Sequence, residues 1–221
     1  MSQSGFVAGT LVHTDQGLVP IEQLKVGDLV GSKAENDPDG ELIYQRITQT
    51  HRFEHKSLYM LHVVEQLSDN TESEISQFFT TPNHPFWKVN VGWVRTDLLR
   101  NNDEILLDNG RKAHVFGGSP VLRTKNSKTG WVARDLEPMG ETNATSYGFL
   151  IDFSNTKPVT PFDDYDQWAN ADVDYWAYAA NDLAGVQFSD WAYNDTVYNI
   201  TVEHTYTYFA GEQSIWVQSN H

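Results

Sequence analysis

The run Phe78-Phe79-Thr80-Thr81-Pro82-Asn83-His84-Pro85-Phe86-Trp87 forbids a helix through its own middle. Pro82 and Pro85 bracket a single histidine, and each proline removes a backbone donor and fixes φ at about −65°. The residues before them are pushed toward extended conformations. Two aromatics on each side are able to bury strand ends around the bracketed pair. The reading is a strand, a tight polar corner and a second strand, with Thr81 and His84 three positions apart on the corner. Such a corner can hold a peptide group through the hydroxyl and the backbone, while the imidazole serves as a proton donor to the peptide nitrogen. Taken alone, a Thr and a His so spaced also describe an ordinary loop.

Elsewhere the chain reads as mostly β. Short apolar runs such as Leu58-Tyr59-Met60-Leu61-His62-Val63-Val64, Leu42–Thr48 and Glu104–Leu107 are separated by polar or Gly-containing turns. Asp108-Asn109-Gly110 carries the Asn-Gly signal of a two-residue hairpin. Ile21–Leu24 suits one helical turn, and the polar, acidic Ser68–Ser76 reads as a mobile loop between paired strands. At 221 residues one domain is expected. No stretch reads as a membrane span or a signal peptide. A net charge of −15 argues against nucleic acid or an anionic membrane as partner. The chain has no cysteine, which excludes disulfides and thiolate-bound metal. His51 and His55 are the one close histidine pair, and in a strand-rich context they need not share a face. No metal and no cofactor is expected, and the chain reads as a monomer.

Near the N-terminus, Gly5-Phe6-Val7-Ala8-Gly9-Thr10-Leu11-Val12 precedes a turn at Asp15-Gln16-Gly17 and then Val19-Pro20-Ile21-Glu22-Gln23-Leu24-Lys25-Val26-Gly27-Asp28. This resembles the opening of the Hint superfamily of inteins, bacterial intein-like domains, hedgehog autoprocessing domains and pretoxin Hint modules. Thr81-Pro82-Asn83-His84-Pro85-Phe86 is similar to the family's second block. Gly92–Val94, Asp97-Leu98 and Asp103–Leu106 are similar to the strand and turn that come next in the family. Val197–Glu203 through Tyr208-Phe209 resembles the penultimate block, and Ile215–Asn220 the last. The blocks occur in order over roughly 5–112 and 196–220, leaving 113–195 as an insertion in one Hint domain spanning 1–221. The resemblance implies an all-β, horseshoe-like Hint fold with pseudo-twofold halves, bringing residues 5 and 220 together. The insertion lacks the paired helices of an endonuclease. From Asp152 to Asp195 it holds nine Asp and one Lys, and Asp174–Tyr178 and Asp190–Tyr193 form a weak local repeat. It reads as an acidic flap pinned by its aromatics, or as a surface for a cationic or flanking partner; an EF-hand spacing is absent.

The resemblance also assigns roles. The family's first residue attacks the carbonyl before it, helped by the Thr81–His84 corner. That position falls on Gly5, which has no side chain, with Ser4 one residue too early. A Cys lost from position 5 is the simplest account, in a naturally degenerate domain or one altered to trap the unprocessed state. A terminal Asn then cyclises on its own peptide bond, which places Asn220 at that role and Ser219 where a His is usual. A second alignment puts Ser219 at the Asn position instead. His221 stands where splicing needs Cys, Ser or Thr. In the penultimate block the family's His falls on Tyr206, or on His204 with a two-residue shift, and its Asp on Asn199.

The residues leave two functions open. One is a single-turnover autoprocessing domain acting on its own flanking segments, exteins or a toxin module, with its N-terminal nucleophile missing. The other is a Hint-like scaffold without chemistry, whose acidic aromatic insertion binds a partner. A hydrolase acting in trans lacks a nucleophile, base and orienter trio.

Overall fold

In the computed structural model, which describes residues 3–65, 74–123, 127–133, 148–154 and 192–219, the prolines and glycines punctuate sixteen strands. They are β1 (Phe6–Val7), β2 (Leu11–Thr14), β3 (Gly17–Pro20), β4 (Leu29–Ser32), β5 (Ile43–Ser57), β6 (Tyr59–Glu65), β7 (Glu74–Thr80) and β8 (Pro85–Lys88). After these come β9 (Gly92–Arg95), β10 (Glu104–Leu106), β11 (Lys112–Arg123), β12 (Thr129–Ala133), β13 (Gly148–Asp152), β14 (Asn194–Val202), β15 (Thr207–Ala210) and β16 (Ile215–Gln218). Single 3-10 turns, Ile21–Gln23 and Thr96–Leu98, are the helical elements among the described residues.

The strands close on themselves. The pairing order runs β10-β8-β16-β15-β2-β4-β5-β14-β1-β7-β6-β11, and β11 pairs back to β10. Every pairing is antiparallel, so the ring has no free edge along that path. β3 and β9 hang on β2 and β8, and β12 and β13 extend β11. The first and last strands both lie inside the ring: β1 between β14 and β7, and β16 between β15 and β8.

Successive residues on a strand face opposite sides, and here both sides are covered. Phe6, Phe78, Leu61 and Ile200 enter one core, while Val7, Phe79, Met60 and Val197 enter a second, which Val121, Val132 and Ile151 complete. Leu106, Phe209 and Trp216 form a third with Trp87 and Trp93. Each fully buried side chain of this size contributes about 1.5–3 kcal/mol.

The structure departs from the sequence-based expectations in three places. The Asp108–Gly110 connection is a three-residue loop, because the Leu107 N–H donates to the Arg111 carbonyl and Gly110 takes φ 79°. Left-handed Gly110 supplies the extra residue that a two-residue turn lacks. Glu74–Ser76, expected in a loop, belong to β7 and pair with Glu65, Val64 and Val63; residues 68–73 of that loop lie outside the described residues. The short strand expected at Leu42–Thr48 continues for fifteen residues. It runs on as a ribbon against β14, where most of its side chains stay exposed and leave no apolar period to read. His51 on this ribbon bonds Thr201 Oγ1 through Nε2 at 2.7 Å.

β11 carries the ring past residue 112, and β12 and β13 also fall within 113–195. Of the acidic repeat, Ala192 and Tyr193 are described: both are buried, and Tyr193 stacks on Phe153 at 4.7 Å and donates its N–H to the Val121 carbonyl. Asp174–Tyr178 lies outside the described residues.

Candidate active site

The corner forms as its prolines dictate. The His84 N–H closes a turn onto the Thr81 carbonyl at 3.1 Å. Thr96, at the head of the second 3-10 turn, donates to the His84 carbonyl with both its N–H, at 2.9 Å, and its hydroxyl, at 2.8 Å. Pro82 accepts from the Asp97 N–H. The corner is thereby fastened to a second element.

Against it lies the Ser4–Gly5 peptide, with Ser4, Gly5 and Thr81 all buried. The Gly5 N–H donates to Thr81 Oγ1 at 3.2 Å. The Ser4 carbonyl accepts from Asn199 Nδ2 at 3.0 Å. On its far side, the Gly5 carbonyl accepts from the Thr81 N–H at 2.9 Å and the Thr80 hydroxyl at 2.8 Å. One peptide group is thus held at both its polar ends by buried partners.

Position 5 is closed to a side chain. A methyl group there would overlap the Tyr198 carbonyl oxygen and lie 2.8 Å from its carbon. The obstacle is backbone, on the strand that pairs with β1.

His84 is fully buried. Its ring meets Phe6, the residue after Gly5, edge-on at 4.4 Å, and Phe86 at 5.8 Å. Neither ring nitrogen has a hydrogen-bond partner among the described residues. Burial pushes its pKa down to about 3, so the imidazole is neutral at ordinary pH.

The penultimate block divides. Asn199 reaches the clamp. His204 and Tyr206 occupy the turn between β14 and β15, both at positive φ, with 77 % of the His204 side chain and 38 % of Tyr206 exposed. From this block the aromatic at the clamp is Tyr208, whose hydroxyl donates to Asn199 Oδ1 at 3.1 Å. Sequence reasoning misses it because an aromatic on a buried strand signals packing, and its hydroxyl partner depends on register. The role of Glu22 is also not legible: its carboxylate accepts the Gly9 N–H at 2.8 Å and ties the 3-10 turn to the β1–β2 link.

Ser219 is buried, with its N–H on the Tyr206 carbonyl at 2.8 Å and its Oγ facing the Val202 N–H at 3.5 Å. It therefore lies against β14, three residues along from Asn199, or about 10 Å at strand rise. Both ends of the described chain share that one strand. Asn220 lies outside the described residues. Among the described residues, no group of three acidic or histidine side chains could hold a metal.

A closed all-β ring with a buried Thr-x-x-His corner against its own N-terminal peptide defines the Hint class. The profile of the pretoxin Hint domain matches residues 11–128, over half of the chain, and the chain belongs to that family. No curated protein matches it. Among solved structures, a bacterial intein-like domain from Clostridium thermocellum aligns with TM-score 0.56 and 21 % identity over 99 % of this chain and 100 % of that one. A DnaB intein from Synechocystis gives 0.54 at 12 %, over 99 % and 100 %. The gp41-1 intein gives 0.51 at 12 %, over 99 % and 100 %. At these identities the likeness is one of fold.

Proposed function

We propose that this chain is an intein-like autoprocessing domain that binds its N-terminal junction without cleaving it, and whose remaining chemistry is release of the polypeptide after Asn220. The observation that carries the reading is the clamp on Ser4–Gly5: Asn199 Nδ2 at the carbonyl, Thr81 Oγ1 at the N–H. A donor aimed at a buried carbonyl stabilises the charge that attack on it would develop. The attacking group is what is missing. Gly5 supplies none, and the backbone of Tyr198 closes the space.

At the other end, the Asn220 side-chain nitrogen attacks its own main-chain carbonyl carbon. The bond to the His221 nitrogen breaks, the amide proton passes to the leaving amine, and a succinimide remains. This step needs no group at position 5. Ser219, the residue before Asn220 in the chain, is packed against β14. Ser219 and Tyr206 stand where the family's histidines would move the proton, and losing one general acid typically costs about 10²–10⁴-fold. Release over hours to days is expected.

The test is the intact mass of a protein carrying extensions at both ends, with and without a small thiol, beside its Asn220→Ala partner. The N-terminal extension is expected to persist under both conditions, and the C-terminal one to leave slowly from the parent alone. Equal persistence of the C-terminal extension in both proteins would establish the scaffold reading, which the closed position 5 favours.

A further inference from the structure

We propose that Tyr208 is a positioning residue for the Ser4–Gly5 junction, its hydroxyl fixing the Asn199 amide so that the NH₂ end meets the Ser4 carbonyl. The inference rests on the reading of that peptide as the junction the domain grips.

A carboxamide has one accepting and one donating end. The Ser4 carbonyl is an acceptor, so the clamp exists only while Asn199 presents nitrogen to it. The other end decides. Asn199 Oδ1 receives the Ile200 N–H at 2.8 Å and the Tyr208 hydroxyl at 3.1 Å. A main-chain N–H cannot accept, so the Ile200 contact demands oxygen at that end, and with oxygen there the Tyr208 hydroxyl, which could otherwise accept, is the donor. The Ile200 N–H is the adjacent residue's own and travels with the strand. Tyr208 reaches Asn199 from β15, which is not a pairing neighbour of β14. Both side chains are essentially inaccessible, so solvent does not compete for the amide. Burial also raises the Tyr208 phenol further above its ordinary range, which keeps it a donor.

The pair is chemically matched. The resemblance places Asp where Asn199 stands, and an ionised carboxylate offers only acceptors to the Ser4 carbonyl. An amide needs an external donor to hold its sense, and Tyr208 supplies one where a phenylalanine would fill the same space.

The experiment uses the full 221-residue chain, isotopically labelled, with Tyr208→Phe as the variant. Solvent exchange of the Asn199 side-chain NH₂ and the ¹³C shift of the Ser4 carbonyl are read by NMR. Loss of one hydrogen bond should raise the exchange rate up to about tenfold. The Ser4 carbonyl shift should move toward that of a weaker bond, with the remaining amide map unchanged. Unchanged exchange and carbonyl shift in a folded variant would overturn the proposal. Should Tyr208→Phe fail to fold, uniform 3-fluorotyrosine, a stronger donor of nearly the same shape, gives the reverse test: slower exchange is expected, and no change overturns it. The pH is held fixed, since amide exchange is itself pH-dependent and the titratable His51 lies opposite Asn199. Cleavage is not read, so failure of C-terminal release would count against the autoprocessing reading and leave this result standing.

Discussion

Gly5 is the residue at which chemistry and packing meet. A side chain there collides with main chain rather than with a movable side-chain tip. Gly5→Ala should cost about 1–3 kcal/mol through forced backbone shifts, or about 2–4 °C of Tm per kcal/mol. Gly5→Cys should destabilise similarly and release no N-terminal fusion on thiol treatment; prompt thiol-dependent release would show that β1 retreats from β14 easily. His84 gives a second test. Its pKa is lowered from an ordinary 6.5 to about 3, so the unfolded chain takes up the proton first as pH falls. The stability is therefore present above pH 6.5 and lost progressively toward pH 3, by up to about 1.4 kcal/mol per pH unit. Between about pH 6.5 and 5, before most carboxylates titrate, denaturant midpoints should fall more steeply for the parent than for His84→Gln. Parallel slopes would mean that His84 is hydrated. Thr81 and His84 are legible in the sequence because prolines restrict their backbone whatever the tertiary setting. The donor role of Asn199 and the hydroxyl of Tyr208 are not, since both depend on which atoms the strand pairings bring within hydrogen-bonding reach.

At the scale of elements, turns are the readable part. Asp15-Gln16 between β2 and β3 connects Thr14 to Gly17, which sits at φ 104°, and the residues Ile21–Gln23 make the expected single turn. The Asn-Gly signal marks the right place for a hairpin but implies a loop one residue too short. Which loop length forms depends on whether Leu107 pairs with Arg111, a contact that also aligns Leu107 with Ile215 on β16. Gly110 is needed at φ 79°, and nothing crowds the position a Cβ would take. The cost of Gly110→Ala is therefore purely conformational, about 1–2 kcal/mol, while Asn109→Ala beside it should cost less. Chemical denaturation of the two variants checks this, and equal losses would point to the Asn109 side chain, which accepts the Arg111 N–H, as the determinant. The β5–β14 ribbon is the least readable element. Much of β5 leaves both of its faces to solvent, so no burial pattern marks it.

For the whole molecule, block order at the two chain ends carries the fold, because a closed ring requires its first and last strands to find interior places. What sequence does not supply is how the ring shuts, through the pairing of β10 with β11, three pairings from β1 in the strand order. A closed ring with its termini inside has no half that can open without breaking the other, and this predicts global cooperativity. Phe6 is the place to test it. It is buried at 0 % exposure, contacts Phe78 and Phe86 at 6.1 and 6.0 Å and braces His84. Phe6→Ala should cost about 3–5 kcal/mol, equivalent to roughly two to four decades in the exchange of amides that open only by global unfolding. The expected result is that amides of β2 and β15, four and five pairings from β1 along the ring, lose as much protection as those of β14 and β7 beside it. Loss confined to β1, β7 and β14 would mean that the junction opens locally while the rest of the ring stays closed, and the N-terminal peptide would then be gripped by a separable unit rather than by the whole fold.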